Sequence, residues 1–341
     1  VASVDVGAIL ERLCGRQGLA QEESWRLFGA VVRGEIGEAA LAALLVALKS
    51  KGETPDEIAG AARAMREAAV RLDTGGLAVA DSCGTGGDGA GTLNISTAVA
   101  LVAAEAGVHV AKHGNRSVSS RCGSADVLGA LGIATEAPPE LSRRCLAEER
   151  ICFLFAPQYH AGVRHAMPVR RALGVRTIFN LLGPLANPAW PRWQLVGVYD
   201  AARCRVLAET LALLGCERAL VVHGGGLDEI ALHAPTHAAL LERGTVRELA
   251  ISPEDAGLER RPLAELAGGE PAENAARLRA ILEGRGSAAE RDAVALNAGA
   301  LLWVCGVVPD LRAGVAESAA ILASRRSAER LDRWKGILDG A

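Results

Sequence analysis

The stretch from Asp81 to Leu131, DSCGTGGDGAGTLNISTAVALVAAEAGVHVAKHGNRSVSSRCGSADVLGAL, constrains the fold more than any other part of the chain. It sets a glycine loop, a hydroxyl-rich helix start, a short apolar strand and a Lys-His-Gly-Asn-Arg turn in succession. Strand, helix and strand in that order make a unit of parallel sheet, because parallel neighbours need a crossover. Gly84, Gly86, Gly87 and Gly89 place four glycines within six residues, which packing alone does not justify. A loop of this kind lets backbone N–H groups close around an anion at a helix start. The stretch therefore looks built to hold a heavily phosphorylated small molecule.

The rest of the chain divides by its periodicity. Residues 5–73 read as helices only. Thr54-Pro55-Asp56-Glu57 is a capping box with proline at the first helical position, followed by apolar residues at helical spacing. The segment Glu38–Leu48 is nearly all Ala and Leu, which suits close helix packing or a helical interface. After the Thr74-Gly75-Gly76 break, short apolar runs alternate with helical segments. The expected strands are 77–81, 108–112, 151–155, 194–199 and 219–223, and the expected helices are 96–106, 125–131, 139–149, 202–214 and 273–283. A second capping box at Ser287 opens a helix to about Cys305. Short, fully apolar strands separated by helices predict a mostly parallel sheet buried on both faces. The expected fold class is α/β: a helical domain over residues 1–74 and a larger α/β domain over 75–341 that binds the phosphorylated ligand. The Arg-rich segment 164–190 is expected to pack back onto the helical domain.

Composition narrows the possible partners. With 37 Lys and Arg against 40 Asp and Glu, the net charge of −3 is a poor match for sequence-independent nucleic-acid binding. The eight cysteines form no CxxC pair, which suits a reducing cytoplasm better than a disulfide framework. No signal-peptide pattern stands at the start, and the apolar runs are short or interrupted relative to the ~20 residues of a membrane span. A cytoplasmic protein is expected.

Three loops carry the chemistry. Gly84, Gly86 and Gly89 satisfy the G-x-G-x-x-G pattern of a dinucleotide loop. Asp88 argues against that use, because its carboxylate would sit in the pyrophosphate cradle and repel it unless a cation intervenes. The following strand also ends in Lys112 and His113, where a ribose-binding acid belongs. A Walker A loop fails at Ala90, the position of its lysine. Asn94-Ile95-Ser96-Thr97 supplies helix-start donors that either cap the helix or bind phosphate. The Lys112–Ser120 turn follows the second strand and should lie beside the glycine loop, with Lys112 as a point charge and Arg116 as a fork. Asp228-Glu229 ends a loop after a later strand, and two hard oxygen ligands facing a polyphosphate suit Mg²⁺. Arg170, Arg171 and Arg176 cluster downstream of Tyr159-His160, and the sequence alone does not pick which arginine reaches a ligand.

Together these motifs resemble the anthranilate phosphoribosyltransferase family. The matching segments are Gly84-Thr85-Gly86-Gly87-Asp88, Asn94–Thr97, Lys112–Ser120, Gly123–Asp126, Val169–Arg171, Arg176–Asn180, Leu182–Leu185, Leu227–Glu229, Arg291–Val294 and Asn297–Gly299, spread over almost the whole chain. The resemblance implies a homodimer joined through helical domains. It also implies transfer of phosphoribosyl from 5-phosphoribosyl 1-diphosphate to the amine of anthranilate, with Mg²⁺, in tryptophan biosynthesis. Carried over by motif, Gly84, Gly87, Asp88, Thr92, Asn94, Ser96, Thr97, Lys112, Ser120 and Ser124 line the diphosphate and ribose site. Gly84, Asn115 and Arg170 correspond to anthranilate-binding positions, with His113 and His160 beside the access path. Ser96, Asp228 and Glu229 correspond to metal positions, and Lys112 and Arg170 are the expected catalytic groups. The chain departs from the family pattern at Ala161-Gly162-Val163 after His160, at Leu93 and at Ala186. Pyrimidine nucleoside phosphorylases share the glycine loop but use a Lys-His-Ser type turn, against which Asn115-Arg116 argues. A nucleic-acid-binding relative without transferase activity is disfavoured by the net charge and by Arg170, Asp228 and Glu229.

Overall fold

The computed structural model describes residues 4–117 and 121–340. Four helices come first: α1 (Val6–Cys14), α2 (Gln21–Val32), α3 (Glu38–Lys51) and α4 (Pro55–Ala68). The start of α4 is fixed as its sequence predicts. The Thr54 side chain accepts the Glu57 N–H, and the Glu57 carboxylate accepts the Thr54 N–H at 2.9 Å. Glu57 also accepts from Lys51 at 2.9 Å and from the Leu19 N–H, so this buried acid is fully partnered.

The chain then alternates β1 (Val79–Gly84), α5 (Ile95–Glu105), β2 (His109–Gly114), α6 (Ser124–Ala130), α7 (Pro139–Glu149) and β3 (Ile151–Phe155). A connection of α8 (Ala156–Tyr159), a 3₁₀ turn, α9 (Met167–Leu173) and α10 (Phe179–Leu182) leads to β4 (Trp193–Gly197). After it come α11 (Arg203–Leu213), β5 (Arg218–His223), β6 (Thr236–Glu242) and β7 (Thr245–Ile251). The chain closes with α12 (Pro271–Leu282), α13 (Ala288–Val304), α14 (Leu311–Ser324) and α15 (Arg326–Asp339).

One seven-stranded sheet has the order β3-β2-β1-β4-β5-β6-β7. Its first five strands are parallel, and β6 and β7 are antiparallel additions. The β6–β7 hairpin turns through Arg243 and Gly244, both at positive φ, a turn whose twist matches that of paired strands. From β1 the chain moves outward to β2 and β3, then returns to the other side of β1 as β4. That reversal opens a crevice beyond the carboxyl ends of β1 and β4, where ligands of open α/β sheets bind.

The sheet separates two apolar cores. On one face Leu101 of α5, Leu128 of α6, Leu146 of α7, Leu296 of α13 and Trp334 of α15 pack against Val110 and Leu154. On the other, Leu45 and Ile58 of the N-terminal helices join Leu182, Leu185 and Leu207, packing on Val196 and Val221. Arg66 of α4 donates to the Leu185 carbonyl at 2.6 Å, which ties the connection to the N-terminal helices. All five residues of β3 are buried, which is why Ile151–Phe155 reads as an uninterrupted apolar run. At the far end of α5, Arg330 of α15 pairs with Glu105 at 2.8 Å and with Glu149 at 3.2 Å. No helix among the described residues is long and apolar enough to cross a membrane.

Candidate active site

The crevice between β1 and β4 is floored by two glycines in register, Gly84 and Gly197. A Cβ on Gly84 would fall 2.2 Å from Asp228 Oδ2, and one on Gly197 would fall 1.6 Å from the Asp228 carbonyl oxygen. Only glycine at both positions lets the Asp228-Glu229 loop descend onto the strand ends. The glycine loop then curls above it through Gly86, Gly87, Gly89 and Gly91, each at positive φ. The Gly86 N–H donates to Asp228 Oδ2 at 2.8 Å, and the Asp228 N–H donates to Asp88 Oδ2 at 3.3 Å. Asp88 also accepts the Ala90 N–H, so this carboxylate braces the loop from inside.

Lys112 rises from the end of β2 with only 2% of its surface exposed. Its ammonium donates to the Ser82 carbonyl at 2.7 Å and to Ser96 Oγ at 3.0 Å. The Ser96 N–H, at the start of α5, in turn donates to the Glu229 carboxylate. Ser96, Lys112, Glu229, Asp228, Asp88 and Gly84 thus form one connected cluster. Asp228 and Glu229 resist ionisation: burial, then the Asp88 carboxylate, pushes Asp228 up to about 7. Burial, then Asp228, pushes Glu229 up to about 8 against the pull of Lys112. Crowded carboxylates of this kind, with hydroxyl and backbone groups around them, suit a hard divalent cation. Among the described residues no three His, Cys, Asp or Glu side chains form a ready-made cage. Mg²⁺ is typically held by one or two carboxylates together with substrate phosphates, and the donor set here fits that pattern.

The other proposed phosphate-side residues are spread along the same rim. Thr92 forms an isolated bridge with Ala267, so the segment after the loop is anchored to 266–268. Asn94 stands at the start of α5, yet its side chain caps nothing. It donates to the Cys122 carbonyl at 3.0 Å and accepts from Asn274 at 3.1 Å, joining α5 to the turn after β2 and to α12. The Thr97 hydroxyl is buried without a protein partner. Ser124 Oγ donates to the Asn115 carbonyl at 3.3 Å, which closes the turn after β2. Ser120 lies outside the described residues.

On the acceptor side, Asn115 is exposed at the end of β2, its side-chain oxygen taken by the Arg116 N–H at 2.7 Å. His113 and His160 are buried edge to face, 5.1 Å between ring centroids. His113 Nδ1 lies 3.1 Å from the Gly183 carbonyl, and both Nε2 atoms are buried without partners. Burial, then His160, drives His113 down to about 3, and burial drives His160 down to about 4. Both rings are neutral at physiological pH. Arg170, on α9, is half-buried over the Phe179 ring at 5.2 Å, and Phe179 packs on Phe28 at 5.9 Å. Burial lowers its guanidinium pKa, and no carboxylate pairs with it among the described residues. A desolvated guanidinium on an apolar shelf, with no carboxylate partner, suits a carboxylate ligand. Phe179 beneath Arg170 belongs to the core of the N-terminal helices, whereas Ile95 and Ala111, next in sequence to Ser96 and Lys112, belong to the core on the other face of the sheet.

The departure from the family pattern after His160 has a local cause. A Cβ on Gly162 would lie 2.6 Å from the Val32 carbonyl, so glycine there lets the end of α2 approach. A cavity of about 10 Å³ remains between Val32, Met65, Ala68, His160 and Val163.

Sequence reasoning missed several supporting residues. Asp81 is fully buried; one oxygen accepts the His113 N–H at 3.3 Å and the other accepts Asn187 Nδ2 at 2.8 Å. Burial, opposed by Lys112, pushes its pKa up to about 6. Nothing in its place within an apolar strand marks it as a support. Gly197 did carry a signal, since a lone glycine in a strand marks a close backbone approach.

Residues 8–69 match the glycosyl transferase family helical bundle domain, and residues 76–327 match the glycosyl transferase family a/b domain. Fold and crevice together thus define the class, a glycosyl transferase with the ligand crevice in its α/β part. Among individual proteins, the chain is similar to the anthranilate phosphoribosyltransferase of Sorangium cellulosum, 58% identical over 98% of this chain and 96% of that one. The Aeromonas hydrophila enzyme of that name is 54% identical over 94% of each chain. The crystal structure of the Thermus thermophilus enzyme superposes with a TM-score of 0.92 at 46% identity, covering 97% of this chain and 99% of that one. The chain belongs to the anthranilate phosphoribosyltransferase family. A Saccharomyces cerevisiae enzyme of that name, solved in complex with PRPP and Mg, shares the fold with a TM-score of 0.89 at 23% identity over 100% of this chain and 99% of that one.

Proposed function

We propose that this chain transfers the 5-phosphoribosyl group of 5-phosphoribosyl 1-diphosphate to the amine of anthranilate, with release of pyrophosphate, in tryptophan biosynthesis. One observation carries this reading: the glycine loop, Lys112 and the Asp228-Glu229 pair share a single connected cluster at the sheet's switch point.

In the reaction the C1–O bond to diphosphate breaks and a C1–N bond to the arylamine forms. The greatest electrostatic demand is the charge on the departing diphosphate. Lys112 meets part of it with a fixed ammonium, held by Ser82 and Ser96 so that little reorganisation is needed. Backbone N–H groups of Gly84, Gly87 and Asp88, with Thr92, Asn94, Ser96, Thr97, Ser120 and Ser124, complete the cradle in this reading. Ser96, Asp228 and Glu229 would hold Mg²⁺, which when bound supplies further charge neutralisation at the phosphates. Arg170 binds the anthranilate carboxylate, and Gly84, His113, Asn115 and His160 line the ring, so that the amine faces C1. No general base is required, because a neutral arylamine can release its proton after attack. Held down at about 3 and about 4, the two histidines are weak bases for that proton.

The same proposal includes a cytoplasmic homodimer joined through the helical domain. It is supported by the outer face of α3, where Ala39, Ala43 and Val46 form an exposed apolar stripe, Val46 at 44%. The deciding assay is anthranilate-dependent release of pyrophosphate by pure protein with Mg²⁺. No turnover under those conditions rules the transferase reading out.

A further inference from the structure

The glycine loop has few tie points, and one of them comes from an unexpected quarter. Arg176 stands in the connection between α9 and α10, whose residues Ile178 and Phe179 belong to the core of the N-terminal helices. Its guanidinium crosses to the loop and donates to the Gly87 carbonyl. The same group lies over Tyr199, its central carbon 4.3 Å from the ring centroid. Tyr199 stands two residues beyond β4 and its N–H donates to Thr85 Oγ1 at 3.2 Å, so the residue that supports Arg176 is itself pinned to the loop. No carboxylate pairs with Arg176 among the described residues, although it is a permanent cation at the surface. The loop's other ties come from the sheet side, through Asp228 and Gly197, and at Gly91 from the segment 266–268.

We infer that Arg176 is a positioning residue for the reaction: it holds Gly87 from the helical side and so fixes the glycine loop in its phosphate-receiving shape. A loop with Gly86, Gly87, Gly89 and Gly91 all at positive φ has many alternative conformations in the unrestrained state. Each tie point removes some of that freedom before the ligand arrives, which is the source of preorganised affinity. Lying over the Tyr199 ring while donating to the Gly87 carbonyl suits a planar guanidinium with several donors, which an ammonium does not provide. The segment also carries Arg170 six residues earlier, so the element that presents the carboxylate receptor is the one that braces the diphosphate loop.

This inference rests on the phosphoribosyl-transfer reading above, and its test separates the two. Hydrogen exchange at the amides of residues 84–91 in the ligand-free protein reports the brace without any turnover. Arg176→Ala and Arg176→Lys should each speed that exchange about ten-fold, the scale of one hydrogen bond to a charged group. In steady state both should raise KM for phosphoribosyl diphosphate by about ten-fold while KM for anthranilate stays within about two-fold. Tyr199→Leu should reproduce both effects at reduced size. Exchange unchanged in Arg176→Ala overturns the brace, and so does full restoration of KM by lysine while exchange stays fast, which would mark a simple charge contact to phosphate. A wild-type protein without turnover, but with loop exchange that depends on Arg176, would count against the transferase reading and leave the brace standing.

Discussion

The two ends of the proposed site are built on opposite principles. The diphosphate end is assembled from backbone and buried charge: glycines in register, a lysine that is 2% exposed and three carboxylates within one hydrogen-bonded cluster. Its parts hold one another before any ligand is present. The acceptor end rests on one half-buried arginine over Phe179, which itself packs on Phe28, and on a pair of neutral histidines whose Nε2 atoms have no partner. In the proposed reaction the first end neutralises charge that changes, which calls for rigidity. The second has only to orient a flat acid, for which it offers an apolar shelf and one charge. Loss of a charged group at the diphosphate end should therefore appear in kcat, loss of the loop's brace in KM for the diphosphate, and damage to the acceptor end in KM for anthranilate.

The sharpest test of that contrast is Lys112→Met. It should lower kcat by ~10²–10³, the cost of removing one preorganised donor to developing charge. A fall confined to KM would erase the distinction between the two ends. Next in size, Asp228→Asn with Glu229→Gln should raise the Mg²⁺ concentration for half-maximal rate by roughly 10–100-fold. A Mg²⁺ titration identical to wild type would remove both residues from the metal site. Arg170→Ala should raise KM for anthranilate by ~10–30-fold, as for loss of a charge-assisted hydrogen bond, and leave KM for the diphosphate nearly untouched. Equal losses for both ligands would show that the ends are not separable.

The smallest effect concerns the histidine pair. Their native pKa values, about 3 and about 4, lie below the ordinary 6.5. Between the native and ordinary values the unfolded chain binds protons that the native chain refuses. The pair's contribution is therefore complete above pH 6.5 and is lost as pH falls towards 4 and 3. His113→Asn keeps a donor for the Gly183 carbonyl but cannot titrate. Its unfolding free energy should fall less than that of wild type between pH 7 and 4.5, by roughly 2–3 kcal/mol, because one refused proton costs ~1.4 kcal/mol for each pH unit below its ordinary value. Parallel pH curves for the two proteins would show that the rings do not resist protonation.

Much of this architecture could be read from the residues. The capping box at Thr54 and the uninterrupted apolar run of Ile151–Phe155 announced their elements, because each encodes a local rule. The hairpin of β6 and β7 was silent by comparison. Its outer strand exposes Thr245, Arg247, Glu248 and Ala250, and its turn is only Arg-Gly, so neither periodicity nor a turn cluster stood out. In the site, motif residues with hydroxyls, amides or charges drew attention by type, whereas Asp81, Asn187 and Tyr199 act through partners remote in sequence. Asp81 meets Asn187 across 106 residues, and no spacing rule reaches that far. Asn94 shows the reverse case. A residue type that usually caps helices instead links three elements, because a close neighbour on α12 competes for its side chain.

Arg330 gives the final helix a bearing on chemistry at the other side of the molecule. Helix α5 has 11 residues, so its two tips are ~16 Å apart at 1.5 Å per residue. At the front tip the Ser96 amide faces Glu229; at the rear, Glu105 is gripped by α15. The segment acts as a strut loaded at both ends, and a chain shortened by the 14 residues of α15 would leave it braced at one end only.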